Sequence, residues 1–340
     1  MIIAEDGNMY IDWTSGIFSS NLGLGNGDFE TALWSQIARC YNTYLFGSRI
    51  RDEYLEALTE FTGYESAYMF SSGTEAVEAA YKIARRKTRR QGCCGLTSSF
   101  HGKTFGAQIM AGREQDWRGQ TAPKETACII LEPYDALTCQ LRDEKLIDRL
   151  QMMRKEHGIY LIVDEIQAGF YRTGTLFGWQ HYPSFIENPP DMVTIGKAMT
   201  NGLPGSAVLG PSELIDDPSM ELSSTNGGNP VICAAGLEVI RQMTAPGFVD
   251  HVVSLSSVFE RGLNSLVQPV RCVGMVGSIW LNTKEEADDI VMELAKQGLL
   301  VVHTGKNTIK LGPPLNITIS CLENAIKILR GVCNGRKNGD

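Results

Sequence analysis

A lysine, an aspartate and a serine–glycine–threonine loop stand where a small-molecule site could form. Lys197 follows the apolar run Met192-Val193-Thr194-Ile195 and lies 33 positions after Asp164. A lysine directly after a buried strand is less common than one on a solvated helix face, yet a snorkelling surface lysine is compatible with the residue taken alone. Asp164 ends the run Ile159-Tyr160-Leu161-Ile162-Val163. Ligands in open α/β sheets bind beyond the carboxyl ends of the strands, but a helix cap or surface acid reads the same way in isolation. The third group is Ser71-Ser72-Gly73-Thr74-Glu75-Ala76, between an apolar run and a helical pattern. Free N–H groups at a helix N-terminus attract anions, Gly73 permits close backbone approach, and Ser72 or Thr74 can add a hydroxyl. An ordinary N-cap with an acid in the first turn fits the same residues.

Together the three are more informative. A phosphate cradle, a strand-end carboxylate and a strand-end lysine are the parts that pyridoxal 5′-phosphate (PLP) chemistry asks of a protein. The carboxylate keeps the pyridine nitrogen protonated so that the ring withdraws electrons. The lysine forms a Schiff base and then moves protons as an amine.

The elements that must position these groups show in the hydrophobic pattern. Strands are expected over 67–70, 127–131, 159–163, 192–195 and 207–209, with helices over 75–86 and 145–157. Positions 76, 77, 79, 80, 83 and 84 carry the helical spacing of the first helix, and Gly158 stops the second. Continuous apolar strands alternating with helices indicate an α/β fold with a mostly parallel central sheet flanked by helices. Beyond residue 230 the pattern becomes that of a smaller α+β domain. Helices are expected over 230–243, 248–266, 285–297 and 322–333, and strands over 273–281 and 309–311.

The 340 residues are 43% hydrophobic and 21% charged, with a formal net charge of −8. Those values suit a globular protein long enough for two domains. The acidic balance argues against nucleic-acid and anionic-membrane partners. No apolar run reaches the roughly 18–20 residues that span a bilayer, and the N-terminus lacks a signal-peptide pattern. Nine scattered cysteines without paired metal-type spacing read as reduced thiols, so a cytoplasmic location is expected. The one low-complexity feature is a short polar tail over 334–340.

Five motifs in register resemble the class III aminotransferases, within fold-type I PLP enzymes, with ornithine, acetylornithine and 4-aminobutyrate aminotransferases as the best matches. They are Ser71-Ser72-Gly73-Thr74-Glu75-Ala76; Phe100-His101-Gly102-Lys103-Thr104; the run from Asp164-Glu165-Ile166-Gln167 to Arg172-Thr173-Gly174; Pro190-Asp191 through Gly196-Lys197-Ala198; and Thr225-Asn226-Gly227-Gly228-Asn229-Pro230. The likeness covers nearly the whole chain. It implies Lys197 as the Schiff-base lysine and Asp164 as the partner of the pyridine nitrogen. Ile166 and Phe100 would pack on the two ring faces, His101 and Glu132 would lie by the cofactor, and Gln167 would reach its phenolic oxygen. Ser72, Gly73 and Thr74 would hold the phosphate. Thr225 would reach the phosphate of a neighbouring subunit, since the family places its sites at a homodimer interface. The implied layout is an N-terminal segment, 1–40, joining a small C-terminal domain, 236–340, with a large PLP-binding domain, 41–235, between them.

Three departures bear on the substrate. The chain starts close to the segment Asp6-Gly7-Asn8-Met9-Tyr10-Ile11-Asp12, which implies a shortened N-terminal substrate and dimer surface. After Glu132-Pro133 the family's Gln-Gly-Glu-Gly-Gly stretch reads Tyr134-Asp135-Ala136-Leu137-Thr138. Where relatives often carry a carboxylate-binding arginine, this chain has Lys310, which lacks a bidentate fork. Lys310, Arg51 and Arg49 are thus the candidates for a substrate carboxylate. The expected activity is an aminotransferase moving an amino group between an amine or amino-acid donor and a keto-acid or aldehyde acceptor. The alternative is another class III reaction: racemase, aminomutase, decarboxylase or phospholyase. A catalytically dead scaffold would be expected to have lost Lys197, Asp164 or the phosphate loop, and all three are present.

Overall fold

The structure, a computed structural model, describes residues 1–5, 7–44, 46–96, 99–111, 124–136 and 138–335. Asp6, Leu137 and the tail residues 336–340, which figure in the sequence reading, lie outside them.

Six strands form the central sheet in the order Ser66–Phe70, Ser206–Gly210, Met192–Ile195, Tyr160–Asp164, Thr126–Leu131, Gly92–Gly95. Four are parallel neighbours, and Ser206–Gly210 runs antiparallel to the strands on both its sides. Alternate residues serve opposite faces. Ile129, Leu131, Leu161 and Val163 join one hydrophobic core, while Cys128, Ile130 and Ile162 join another. Both faces are therefore buried, which explains the unbroken apolar runs. The expected mostly parallel sheet is present, with the reversal of Ser206–Gly210 as its one mixed feature.

Helix Gly73–Thr88 covers one face through Ala76, Val77, Ala80, Ile83 and Ala84. Helices Arg49–Thr62, Glu144–His157 and Pro230–Met243 cover the other. Local sequence sets their limits. The Asp143 side chain accepts from Lys145 N, Gly158 closes that helix at φ +56°, and Asn229 caps Val231 and Ile232 ahead of Pro230 at the first position.

A four-stranded sheet, built from Val270–Val273, Val276–Trp280, Thr308–Leu311 and Val302–His303, packs with helices Phe248–Leu263, Lys284–Lys296 and Ile319–Gly335 around a separate core. The strand expected over 273–281 is present as Val276–Trp280, and the first residues of that range form the turn of a hairpin with Val270–Val273. Gly274 turns it at φ +57°, where an added side chain would approach the Thr173 carbonyl carbon to 2.3 Å. Near the N-terminus, Met9–Asp12 pairs in parallel with Leu299–Leu300 in a separate three-stranded sheet, and Ile11, Trp13 and Leu299 tie the first residues to this second core.

Arg172 fastens the two bodies. It is fully buried, and its guanidinium bonds the carbonyls of Met275 (2.9 Å) and Pro313 (2.7 Å) and Oδ1 of Asn21 (2.6 Å).

Candidate active site

The strand directions put the chemistry on one edge. Asp164 is the last residue of its strand, Glu132 follows Leu131, Ser71 follows Phe70, and Lys197 comes two residues after Ile195. Ser206 begins the reversed strand at this same edge, and its hydroxyl donates to the Ser72 carbonyl at 2.6 Å. The antiparallel strand thereby steadies the loop expected to hold phosphate.

In that loop, Glu75 accepts from the Ser72 hydroxyl (2.7 Å) and from Ser71 N–H (3.2 Å). The Thr74 hydroxyl meets that of Thr104 at 2.5 Å. Glu78 accepts from the Thr104 hydroxyl and from Gly106 and Ala107 N–H, fixing the segment behind it. The Ser72 hydroxyl, expected as a phosphate donor, is thus engaged by Glu75. The N–H groups of Gly73 and Thr74, at the start of the helix, meet no acceptor among the described residues. Space around them is close. A side chain at Gly73 would reach within 2.8 Å of Ile166 Cδ1, and one at Gly102, whose φ is +128°, within 2.3 Å of Thr74 Oγ1.

Asp164 is 3% exposed. It takes the Ile166 N–H on Oδ1 (3.1 Å) and His101 Nδ1 on Oδ2 (2.7 Å). His101 is buried behind the carboxylate, and its Nε2 has no hydrogen-bond partner among the described residues. Its pairing with Asp164 was not legible in the sequence.

Lys197 sits at φ +47° after the extended Gly196. A lysine in the left-handed region costs on the order of 1–3 kcal/mol, and such strain survives only where the surroundings hold it. Burial pushes its ammonium below the ordinary lysine range, against the opposing pull of Asp164 and Glu132. A neutral amine is the form that attacks carbonyls and takes protons.

Glu132 is 4% exposed and accepts from Phe100 N–H at 2.9 Å. Burial raises its carboxyl to about 7. The folded chain therefore holds this proton more tightly than the unfolded chain does. Its contribution to stability is full below about pH 4.5 and is lost as pH rises through about 7. The Glu132→Gln variant of the cofactor-free protein is expected to gain roughly 2 kcal/mol over the parent between pH 5 and pH 8, read from denaturant melts at both values. Equal pH slopes would refute it. Glu165, also buried and raised to about 8, is common to both proteins and cancels.

The stretch after Pro133 is a small hairpin, Tyr134–Asp135 against Gln140–Leu141. Arg142, missed by sequence reasoning, locks it. Its guanidinium bonds Asp135 Oδ2 (2.8 Å), the Glu132 carbonyl (3.2 Å) and the Ser99 hydroxyl (3.0 Å). Gln167 joins the hairpin side through Lys310, whose Nζ donates to its Oε1 at 2.9 Å. Arg51 bonds the Gly228 carbonyl (2.7 Å) and the Thr43 hydroxyl (3.0 Å), so it braces the turn after Thr225. Arg49 pairs with Glu53 at 2.7 Å, with 91% of its side chain exposed. Thr225 itself is exposed.

A family model described as Aminotransferase class-III matches residues 1–119 and 113–332. The chain belongs to the class-III aminotransferases. As such it is a PLP-dependent transaminase of fold type I, taking small-molecule amino and carbonyl substrates. This class-III aminotransferase is 34% identical to an acetylornithine aminotransferase of Halalkalibacterium halodurans over 355 residues, 96% of this chain and 91% of that one. It is 32% identical to an acetylornithine aminotransferase of Listeria innocua over 354 residues, with the same coverage. The solved acetylornithine aminotransferase of Elizabethkingia anophelis superimposes with a TM-score of 0.84 at 25% identity, covering 97% of this chain and 90% of that one. An ornithine aminotransferase of Toxoplasma gondii gives a TM-score of 0.87 at 23% identity, a likeness of fold. No helix among the described residues is long and apolar enough to cross a membrane.

Proposed function

We propose that this class-III aminotransferase runs its reaction on the strand-end cluster of Lys197, Asp164, Gly73 and Thr74, with an amino acid or amine as donor and a keto acid or aldehyde as acceptor. The residues fit PLP. Unsatisfied N–H groups at the start of helix Gly73–Thr88 suit a phosphate, and the buried Asp164 carboxylate suits a protonated ring nitrogen. Ile166 and Phe100 stand on the two segments that bracket Asp164 and would face the ring, while Gln167 would meet the phenolic oxygen. His101 orients Asp164, and Glu132 fixes Phe100 through its N–H.

When bound, PLP supplies an electron sink that stabilises negative charge at the amino-bearing carbon of the substrate. Lys197 Nζ would hold the cofactor between turnovers and would be released when a donor amine takes its place. The released Lys197 amine would then be the group that takes the proton from the donor carbon and returns it in the later transfer. Its lowered proton affinity equips it for the first of these transfers. Asp164, oriented by His101 Nδ1 and the Ile166 N–H, would set its carboxylate against the charge on the ring nitrogen.

Two further parts belong to this reading. The working unit is a homodimer with Thr225 reaching the partner's phosphate. Supporting this, Trp34 (69%), Tyr41 (70%) and Phe46 (80%) stand exposed on one stretch, and a broad groove runs along helix Gly73–Thr88 between Phe105 and Leu222, beside the Thr225 loop. The domain layout 1–40, 41–235 and 236–340 is supported by the pairing of Met9–Asp12 with Leu299–Leu300 and by Ile11 and Trp13 in the second core, whereas Leu22, Phe29 and the end of helix Pro230–Met243 pack in the first. A cytoplasmic location agrees with nine cysteines that form no disulfide among the described residues.

The strand-end pairing of Lys197 with the buried Asp164 carries the proposal. Its test is a screen of amino donors and carbonyl acceptors followed by cofactor absorbance. At least one donor is expected to leave its amino group on the cofactor, and an acceptor to restore the starting spectrum. Loss of CO₂ or inversion of a donor without any amino transfer would overturn it.

A further inference from the structure

The bonds around Lys310 support an assignment that rests on the cofactor reading above and goes beyond it. Lys310 lies on strand Thr308–Leu311, 6% exposed, with Ser278 and Val302 opposite it in the register. Its Nζ donates to the Ala136 carbonyl at 2.6 Å and to Gln167 Oε1 at 2.9 Å, and stands 4.5 Å from the centre of the Phe18 ring. Three segments distant in sequence converge on one cation. The hairpin partner is itself fixed, because Asp135, next to Ala136, is held by Arg142.

An ammonium carries three N–H donors and no acceptor. It therefore decides the orientation of the Gln167 amide: the oxygen faces Lys310, and the NH₂ is the end turned to donate to another partner. A substrate carboxylate would have to compete with Ala136 and Gln167 for the same three donors. We propose that Lys310 is a positioning residue, locking Gln167 in the orientation that donates to the cofactor's phenolic oxygen, in place of a carboxylate anchor. Donation to that oxygen favours its ionised form, whereas a freely turning amide would at times present its own oxygen and oppose it.

The test is the visible absorbance of the holoenzyme followed against pH. Lys310→Met is expected to raise the spectral midpoint by about one unit, a tenfold shift in the proton equilibrium. Gln167→Ala is expected to move it the same way, and the double variant no further than Gln167→Ala alone. Lys310→Arg, which keeps donors, is expected to stay within about 0.3 unit of the parent. The KM for a glutamate donor is expected to change by less than roughly threefold in Lys310→Met. Lys310→Gln, similar in length, gives a second reading should the methionine variant not fold. An unchanged midpoint, or additive shifts in the double variant, overturns the assignment. An unchanged midpoint with a roughly tenfold rise in glutamate KM returns Lys310 to carboxylate binding. A parent protein with no visible absorbance after PLP is added refutes the cofactor site itself, and this role with it.

Discussion

Replacing Lys197 by alanine is expected to lower turnover by at least about 10⁴-fold, the upper end of what one proton-transferring group supplies, and to remove the visible absorbance of lysine-bound cofactor. The size follows from two duties on one atom. Nζ holds the cofactor at its aldehyde carbon and later serves as base and acid at the reacting carbons, so the variant loses both attachment and proton transfer. Lys197 is half-buried, with a lowered proton affinity. Among the strand-end residues Asp164, Glu132, Ser71 and Lys197, it is the only amine. The variant is expected to fold, since alanine removes a half-buried amine and at most modestly worsens the φ +47° backbone. A thermal melt separates loss of chemistry from loss of structure. Turnover within about tenfold of the parent would contradict the assignment.

The second large effect is at Asp164. Asp164→Asn keeps an oxygen for the Ile166 N–H but removes the negative charge, and it sets an amide against His101 Nδ1, now 2.7 Å from Oδ2. The ring nitrogen then loses its counter-charge. We expect kcat to fall by about 10²–10³-fold, the scale on which one preorganised electrostatic group acts, with lysine-bound absorbance retained. Single-turnover rates with a saturating donor read this directly. A fall of less than roughly threefold would show that Asp164 does not face the ring nitrogen. The two variants thus separate: one abolishes attachment and chemistry together, while the other leaves attachment and slows chemistry.

Much of this cluster was legible because strand ends are marked in the chain. Asp164 and Lys197 each close a continuous apolar run, and Ser71-Ser72-Gly73-Thr74 joins a strand to a strongly periodic helix. Direction was not legible. Ser206–Gly210 is buried on both faces like its parallel neighbours, so periodicity holds no sign of its reversal. The hairpin after Pro133 was read as a departure from the family pattern, but its strands are two residues each, too short for alternation to register. Arg142 and the contact of Lys310 with Gln167 escaped for another reason. Arg142 bridges Ser99, Glu132 and Asp135, and Lys310 meets Gln167 across 143 positions. Such meetings arise from tertiary packing alone. Arg49 and Arg51 were candidates by charge, and the fold gives one to solvent and the other to the turn at Gly228. His101 stood inside a recognised motif, yet only the structure shows it supporting Asp164 from behind.

The central claim is that the cofactor is held by one particular amine. Borohydride reduction of the PLP-loaded protein, followed by digestion and mass spectrometry, tests it most directly, because reduction fixes the cofactor to whichever amine holds it. The expected result is one phosphopyridoxyl group per chain, on the peptide containing Lys197. A label on another lysine, or no label in a protein that has taken up PLP, would contradict it.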